Sequence, residues 1–360
     1  MPVTVATSPP ASHGRTRSAA ALCSLVALML LVPLGIRFVN AGRAGGPLPP
    51  SYLPAFEGPR VRQAAFAAHR IPELQRLAPA YVVIGDSMAG TRIDERRLAE
   101  LTGRPVAPLL HPGSGPAFWY LALKNWVIAS GIEPRVVFIF FRDTNLTDVM
   151  FRLDEQFRWA LDLVAGDRED ALNAVLAART DRLFYQVHAV IEDAYQPDRA
   201  RAWMEPALTN WPARQMISSR RRRDEFFAGL NARFSLDHLK PMEAADIQIL
   251  EDSLADFDRY ANESALPLML QDARRAGLAL CFVRVQRRPV GGKPPRQSPA
   301  LARYVEDLRR YLTAHGALFL DDTGDPRLTL DMYEDGDHIR KGARRLYTEI
   351  FHERLRHLFP

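Results

Sequence analysis

The chain has 360 residues, a formal net charge of +5, and 47% apolar, 25% charged and 9% aromatic residues. Those values exclude a disordered or collagen-like chain and a polytopic membrane protein, and leave room for one large or two modest domains with a sizeable core. The basic excess does not mark a nucleic-acid binder. Its cations are nearly all arginines scattered among carboxylates, and the only lysines are Lys124, Lys240, Lys293 and Lys341. The densest run, Arg220 to Arg223, passes straight into Asp224 and Glu225 and is expected as a solvated face.

In chain order, residues 18–36 form an uncharged stretch of 19 residues, preceded by Arg15 and Arg17 and followed by Arg37 and Arg43. That length matches one bilayer crossing and exceeds the apolar core of a cleaved signal peptide. No clean small-x-small cleavage site appears around Asn40 to Ala44, so an uncleaved transmembrane anchor is expected. Residues 41–60 are rich in Gly and Pro, including Gly45-Gly46-Pro47 and Pro49-Pro50, and read as a spacer. A soluble domain is expected over 61–360. Cys23 lies in the apolar N-terminal stretch and Cys281 in an expected buried strand, so no disulfide is expected between them.

Short apolar runs bounded by turn residues predict strands over 81–84, 105–110, 136–141, 278–285 and 317–320. Continuous runs of this kind suit strands buried on both faces, as in a parallel sheet. Helical stripes lie between them. Ile247, Leu250, Leu254 and Phe257 form one; Leu301, Tyr304, Val305, Leu308, Tyr311 and Leu312 form another, stopped by Gly316. A last helix is expected over about 339–357. The alternation predicts a doubly wound α/β domain. Residues 146–241 lack a clear strand and are expected as a mostly helical insertion after the third strand, a lid or acceptor platform. Trp119, Tyr120, Trp126, Trp159, Trp203 and Trp211 are candidates to stack on sugar rings, though their apolar spacing favours the core.

Ligands of open α/β sheets bind at the carboxyl ends of the strands. After the first run comes Gly85-Asp86-Ser87, which exposes a serine hydroxyl at a strand-to-helix turn. After the second comes Pro112-Gly113-Ser114-Gly115, where glycine admits close approach to backbone N–H groups. After the third comes Arg142-Asp143-Thr144-Asn145, with an amide donor. Before the last helix sits Asp335-Gly336-Asp337-His338. There His338 can act as base to the serine while Asp335 folds back across Gly336 to fix its tautomer. Asp337, adjacent to His338, is expected to diverge from it and to matter less.

The two end blocks, Tyr81-Val82-Val83-Ile84-Gly85-Asp86-Ser87 and Asp335-Gly336-Asp337-His338, resemble the SGNH, or GDSL-like, hydrolase superfamily. The resemblance runs from Tyr81 to the C-terminus, with the insertion unmatched. It implies a flavodoxin-like sheet of five parallel strands and serine-dependent acyl transfer. Carried over by position, Ser87 is the nucleophile and one oxyanion donor, Gly115 gives a second N–H, His338 is the base and Asp335 orients it. The family's Gly-x-Asn-Asp block is absent; Asn145 is the nearest amide, with Thr144 and Arg142 as substitutes.

A tethered domain with a helical segment looks most like the branch that O-acetylates exported polysaccharides. That likeness implies a single-pass inner-membrane protein with residues 1–17 cytoplasmic and the catalytic domain facing the periplasm or cell exterior. It also implies an O-acylated polysaccharide substrate and a membrane-bound acyltransferase as partner. Hydrolysis and transfer share the acyl-serine intermediate, and both stay open. A second class, a non-catalytic carbohydrate-binding or assembly protein on the same fold, also stays open.

Other motifs fail. Position 89 is Ala, so Gly-x-Ser-x-Gly is not met. Gly291-Gly292-Lys293 runs into Pro294 and Pro295, as a flexible connection and not a phosphate loop. His352 and His357 fall on different helix faces, and no metal, organic cofactor or nucleic acid is expected.

Overall fold

A computed structural model describes residues 22–24, 26–27, 31, 66–153, 155–166, 169–179, 254–289, 296–334 and 337–358. The spacer, the Arg220 to Arg223 run, Ile247, Leu250, Trp203, Trp211, the Gly291-Gly292-Lys293 connection and Asp335 lie outside them. So does most of the expected anchor. Within it, Leu22, Cys23, Ser24, Val26, Ala27 and Leu31 are helical and exposed. Among the described residues no helix is long and apolar enough to cross a membrane.

The five apolar runs form one parallel sheet: β1 (Tyr81–Gly85), β2 (Val106–Leu110), β3 (Val136–Phe141), β4 (Leu280–Arg284) and β5 (Leu318–Asp321). Their spatial order is β2-β1-β3-β4-β5, the order of flavodoxin-like folds, with the switch point beside β1. Strand side chains alternate between faces. Val82, Ile84, Val137, Ile139 and Phe282 enter one core, while Val83, Phe138, Phe140 and Val283 enter the other. Both faces are therefore covered, as the uninterrupted apolar runs require.

Helices fill both sides. In chain order they are α1 (Arg70–Leu77), α2 (Ser87–Arg92), α3 (Glu95–Thr102), α4 (Pro116–Ala122), α5 (Glu155–Val164), α6 (Asp170–Arg179), α7 (Phe257–Ala261), α8 (Leu266–Arg275), α9 (Pro299–Ala314) and α10 (Arg344–Leu358). Side-chain caps start several of them: Asp94 accepts from Arg97 N at 3.0 Å, and Ser298 accepts from Leu301 N at 3.1 Å. Gly316, with φ +73°, follows α9 in the left-handed region that stops a helix.

Several expectations shift. The fourth strand begins at Leu280, not at 278. The last helix starts at Arg344, because Ile339 pairs antiparallel with Tyr333 and Lys341–Ala343 forms a 3-10 turn. The helix ahead of β4 is α8, which follows the expected 247–257 stripe. Trp119, Tyr120 and Trp126 are buried in the core and are not a sugar platform. Of the expected insertion, α5 and α6 are described; Leu161, Val164, Leu172 and Leu176 are buried in the same core as β1 and β3. Arg179, at the end of α6, lies over the Tyr260 ring at 4.3 Å and donates to Glu263 at 3.1 Å.

Phe351 of α10 is 1% exposed and meets Phe138 and Phe140 with ring centroids at 5.3 and 5.5 Å. Phe351→Ala should cost about 3–5 kcal/mol of stability through the cavity it leaves, measured by urea unfolding.

Candidate active site

The carboxyl edge of the sheet collects the polar residues. At the end of β1, a Cβ on Gly85 would lie 2.6 Å from the Ala89 Cβ and 3.2 Å from the Phe140 Cβ. Only glycine lets the strand pass directly into α2 there. Asp86 caps α2, its carboxylate accepting from Met88 N at 2.8 Å. Burial pushes the Asp86 carboxyl up, against the Met88 N–H and the charges of Arg92 and Arg142. Ser87 then opens the helix at the strand-to-helix turn.

His338 arrives from the far end of the chain on a loop with a short stem. Tyr333 and Ile339 pair antiparallel, Glu334 N donates to His338 O at 3.0 Å, and Arg340 N donates to Met332 O at 2.8 Å. Met332, Tyr333 and Ile339 are buried, so the stem is packed against the second core. The stem also touches α2, where Ile339 N donates to Thr91 Oγ1 at 3.3 Å. The result is a 2.9 Å contact between His338 Nε2 and Ser87 Oγ. With the ring proton on Nδ1, Nε2 accepts from the hydroxyl, as a base to a nucleophile must.

Asp337 finds partners that its sequence position does not announce. Its Oδ2 accepts from Arg142 Nη1 at 2.6 Å and its Oδ1 accepts from Arg288 N at 2.8 Å. One carboxylate thus ties the His338 loop to the loops after β3 and β4. Burial opposes its charge, but the Arg142 guanidinium and the Arg288 N–H outweigh that and hold the carboxyl below its ordinary value.

The loop after β2 lies beside the serine turn. His111 N and Ser114 Oγ both donate to Gly85 O, at 3.0 and 3.2 Å, and Trp119 Nε1 donates to Ser114 Oγ at 3.0 Å. Gly115 caps α4, and a Cβ there would fall 2.3 Å from Phe151 O. In the loop after β3, Asn145 N donates to Arg142 O at 2.9 Å, and Asn145 Nδ2 is buried with no hydrogen-bond partner. Thr144 is buried, and the Arg142 Nη1 is committed to Asp337.

A buried ion network below these loops escaped sequence reasoning. Asp143, with φ +44°, accepts from Arg284 Nη2 at 2.5 Å and from Arg287 Nε, and Arg284 Nη1 reaches Asp321 at 3.2 Å. A single arginine inside the apolar run of β4 was the available signal, because a buried guanidinium demands carboxylate partners. Among the described residues no cluster of His, Cys, Asp and Glu is arranged to hold a metal ion. No protein-family model matches the chain, and no curated protein matches its sequence.

The lowered carboxyl of Asp337 fixes the sign of a pH effect. Its pairing stabilises the fold fully above the ordinary carboxylate range, and that contribution disappears as pH falls through the depressed folded value. Asp337→Asn should therefore lower the melting temperature at pH 7, with the gap from wild type closing in strong acid. Paired melting curves across pH check this.

Proposed function

We propose that the chain is an SGNH-type serine acyltransferase or esterase acting on O-acyl groups, O-acetyl foremost, of cell-envelope or exported polysaccharide. The observation that carries the proposal is the 2.9 Å contact between Ser87 Oγ and His338 Nε2, two residues 251 apart in sequence. In this reading His338 takes the hydroxyl proton as Ser87 Oγ attacks the acyl carbonyl. Negative charge builds on the carbonyl oxygen. The N–H groups of Ser87 and Gly115 and the unpartnered Nδ2 of Asn145 are its donors, with Asn145 favoured over Thr144 and Arg142 by that vacant amide. Asp335 orients His338 through Nδ1 and stabilises the imidazolium. The imidazolium returns its proton to the departing sugar oxygen, leaving an acyl-serine. Water completes hydrolysis; a second sugar hydroxyl completes transfer.

Residues 18–36 anchor the domain in the inner membrane in this reading, facing the periplasm or cell exterior, with a membrane-bound acyltransferase supplying acyl groups. Envelope glycan and acyl donor then meet the catalytic edge on the same side.

Two outcomes test these statements. A fluorophosphonate should label the purified protein covalently at Ser87, and Ser87→Ala should abolish labelling while lowering hydrolysis of a chromogenic acetyl ester by on the order of 10⁶-fold. A native protein that resists the probe is instead a carbohydrate-binding or assembly protein on this fold. Full-length protein should also stay with membranes through high-salt and alkaline washes, and release of a form starting near residue 41 would identify a cleaved signal.

A further inference from the structure

Arg92 is the last residue of α2, the helix that Ser87 opens, and it is 0% exposed. Burying a guanidinium is expensive unless carboxylates pair with it. Arg92 forms no ion pair among the described residues. Its Nη1 instead donates to Met88 O at 3.2 Å, within its own helix, and its Nη2 donates to Gln286 O at 2.8 Å, just beyond β4. Its guanidinium carbon stands 5.8 Å from the ring centre of Tyr333 and 5.6 Å from that of Tyr347.

Each partner belongs to a different part of the active edge. Tyr333 is one side of the stem that carries His338, and its hydroxyl donates to the same Gln286 O at 3.3 Å. Gln286 in turn holds the loop after β5: its Nε2 donates to Leu328 O at 3.0 Å and its Oε1 accepts from Gly324 N at 2.9 Å. Tyr347 lies on α10 and bonds Asp322, whose carboxylate also pairs with Arg354. The backbone closes the knot, with Thr348 Oγ1 donating to Arg92 O at 3.1 Å. A hydrophobic side chain of similar volume would fill this site at lower desolvation cost, yet could not join four elements at one point.

We propose that Arg92 is a positioning residue that sets the separation between the nucleophile helix and the His338 loop, acting through Gln286 O and the Tyr333 ring. The proposal rests on the Ser87–His338 reading above and adds to it what holds the pair in register. A displacement of the order of 1 Å between such groups costs about 100-fold in rate.

The test compares native protein with Arg92→Met and Arg92→Lys. On a chromogenic acetyl ester, Arg92→Met should lower kcat about 100-fold with KM changed less than about threefold, and Arg92→Lys should recover part of the loss. Nitrogen NMR of His338 reports the geometry without any turnover. Ser87→Ala should shift the His338 Nε2 resonance in the native background, and that shift should shrink by more than half when Arg92 is Met. If Arg92→Met does not fold at the assay temperature, Tyr333→Leu replaces it, removing the ring on the base-loop side alone. An unchanged kcat and an undiminished Ser87→Ala shift, with only a lower melting temperature, overturn the proposal. Absence of any Ser87→Ala shift in the native background overturns it together with the Ser87–His338 contact. A coupling that disappears with Arg92 in a protein without esterase activity supports the positioning role while removing the acyl-transfer reading.

Discussion

The level register of the first three strands is the constraint on which the site depends. Tyr81 pairs with Val106 on one side and with Val136 on the other, so β1, β2 and β3 run in step. Strands in step reach the carboxyl edge together, and their loops leave it at one height. Ser87, Gly115 and Asn145 thereby lie on segments that leave the same edge of the sheet, and the bonds from His111 N and Ser114 Oγ to Gly85 O tie the first two segments together. The close approach at Gly85 depends on the same register, since Phe140 is the neighbour that a side chain there would strike.

Beneath the rim, buried charge is held in ion networks. Asp143 and Arg284 are both nearly inaccessible, and Asp321 and Arg287 complete their set. Asp322, Tyr347 and Arg354 make a second set on the opposite face of the sheet edge. Such networks add little net stability compared with apolar packing, but removing one partner strands a buried charge and costs about 3–5 kcal/mol. They thus make loop geometry at the rim all-or-none. The left-handed backbone at Asp143 is held this way, with two arginines fixing a conformation that an unrestrained Asp adopts rarely.

What the sequence revealed follows from the range of each interaction. The five strands were legible because a strand buried on both faces must be apolar without interruption. Ser87 and His338 were legible because strand ends in a parallel sheet share an edge. The partners of Asp337 were not, because Arg142 lies 195 residues away and no local pattern links them. Chain adjacency correctly gave Asp337 a divergent direction from His338, but not the clamp waiting in that direction. The Arg284–Asp143 pair, 141 residues apart, was hidden for the same reason. Helix α8 carries Pro267 in its first turn, where the missing N–H goes unused, and it follows the 247–257 stripe that reads as the helix ahead of β4. The start of the last helix was misplaced because Ile339, apolar and at helical spacing, serves the loop stem instead.

The bond between Arg179 and Glu263 joins the end of α6 to the turn after α7, 84 residues further along the chain. Glu263 is half-exposed, so the ion pair by itself is screened by water and salt and adds little. The same guanidinium lies over the Tyr260 ring, and a cation over an aromatic face keeps its attraction where water is excluded. Rising ionic strength therefore weakens the charge pair and leaves the stacked contact, so the junction between α6 and α7 is buffered against salt.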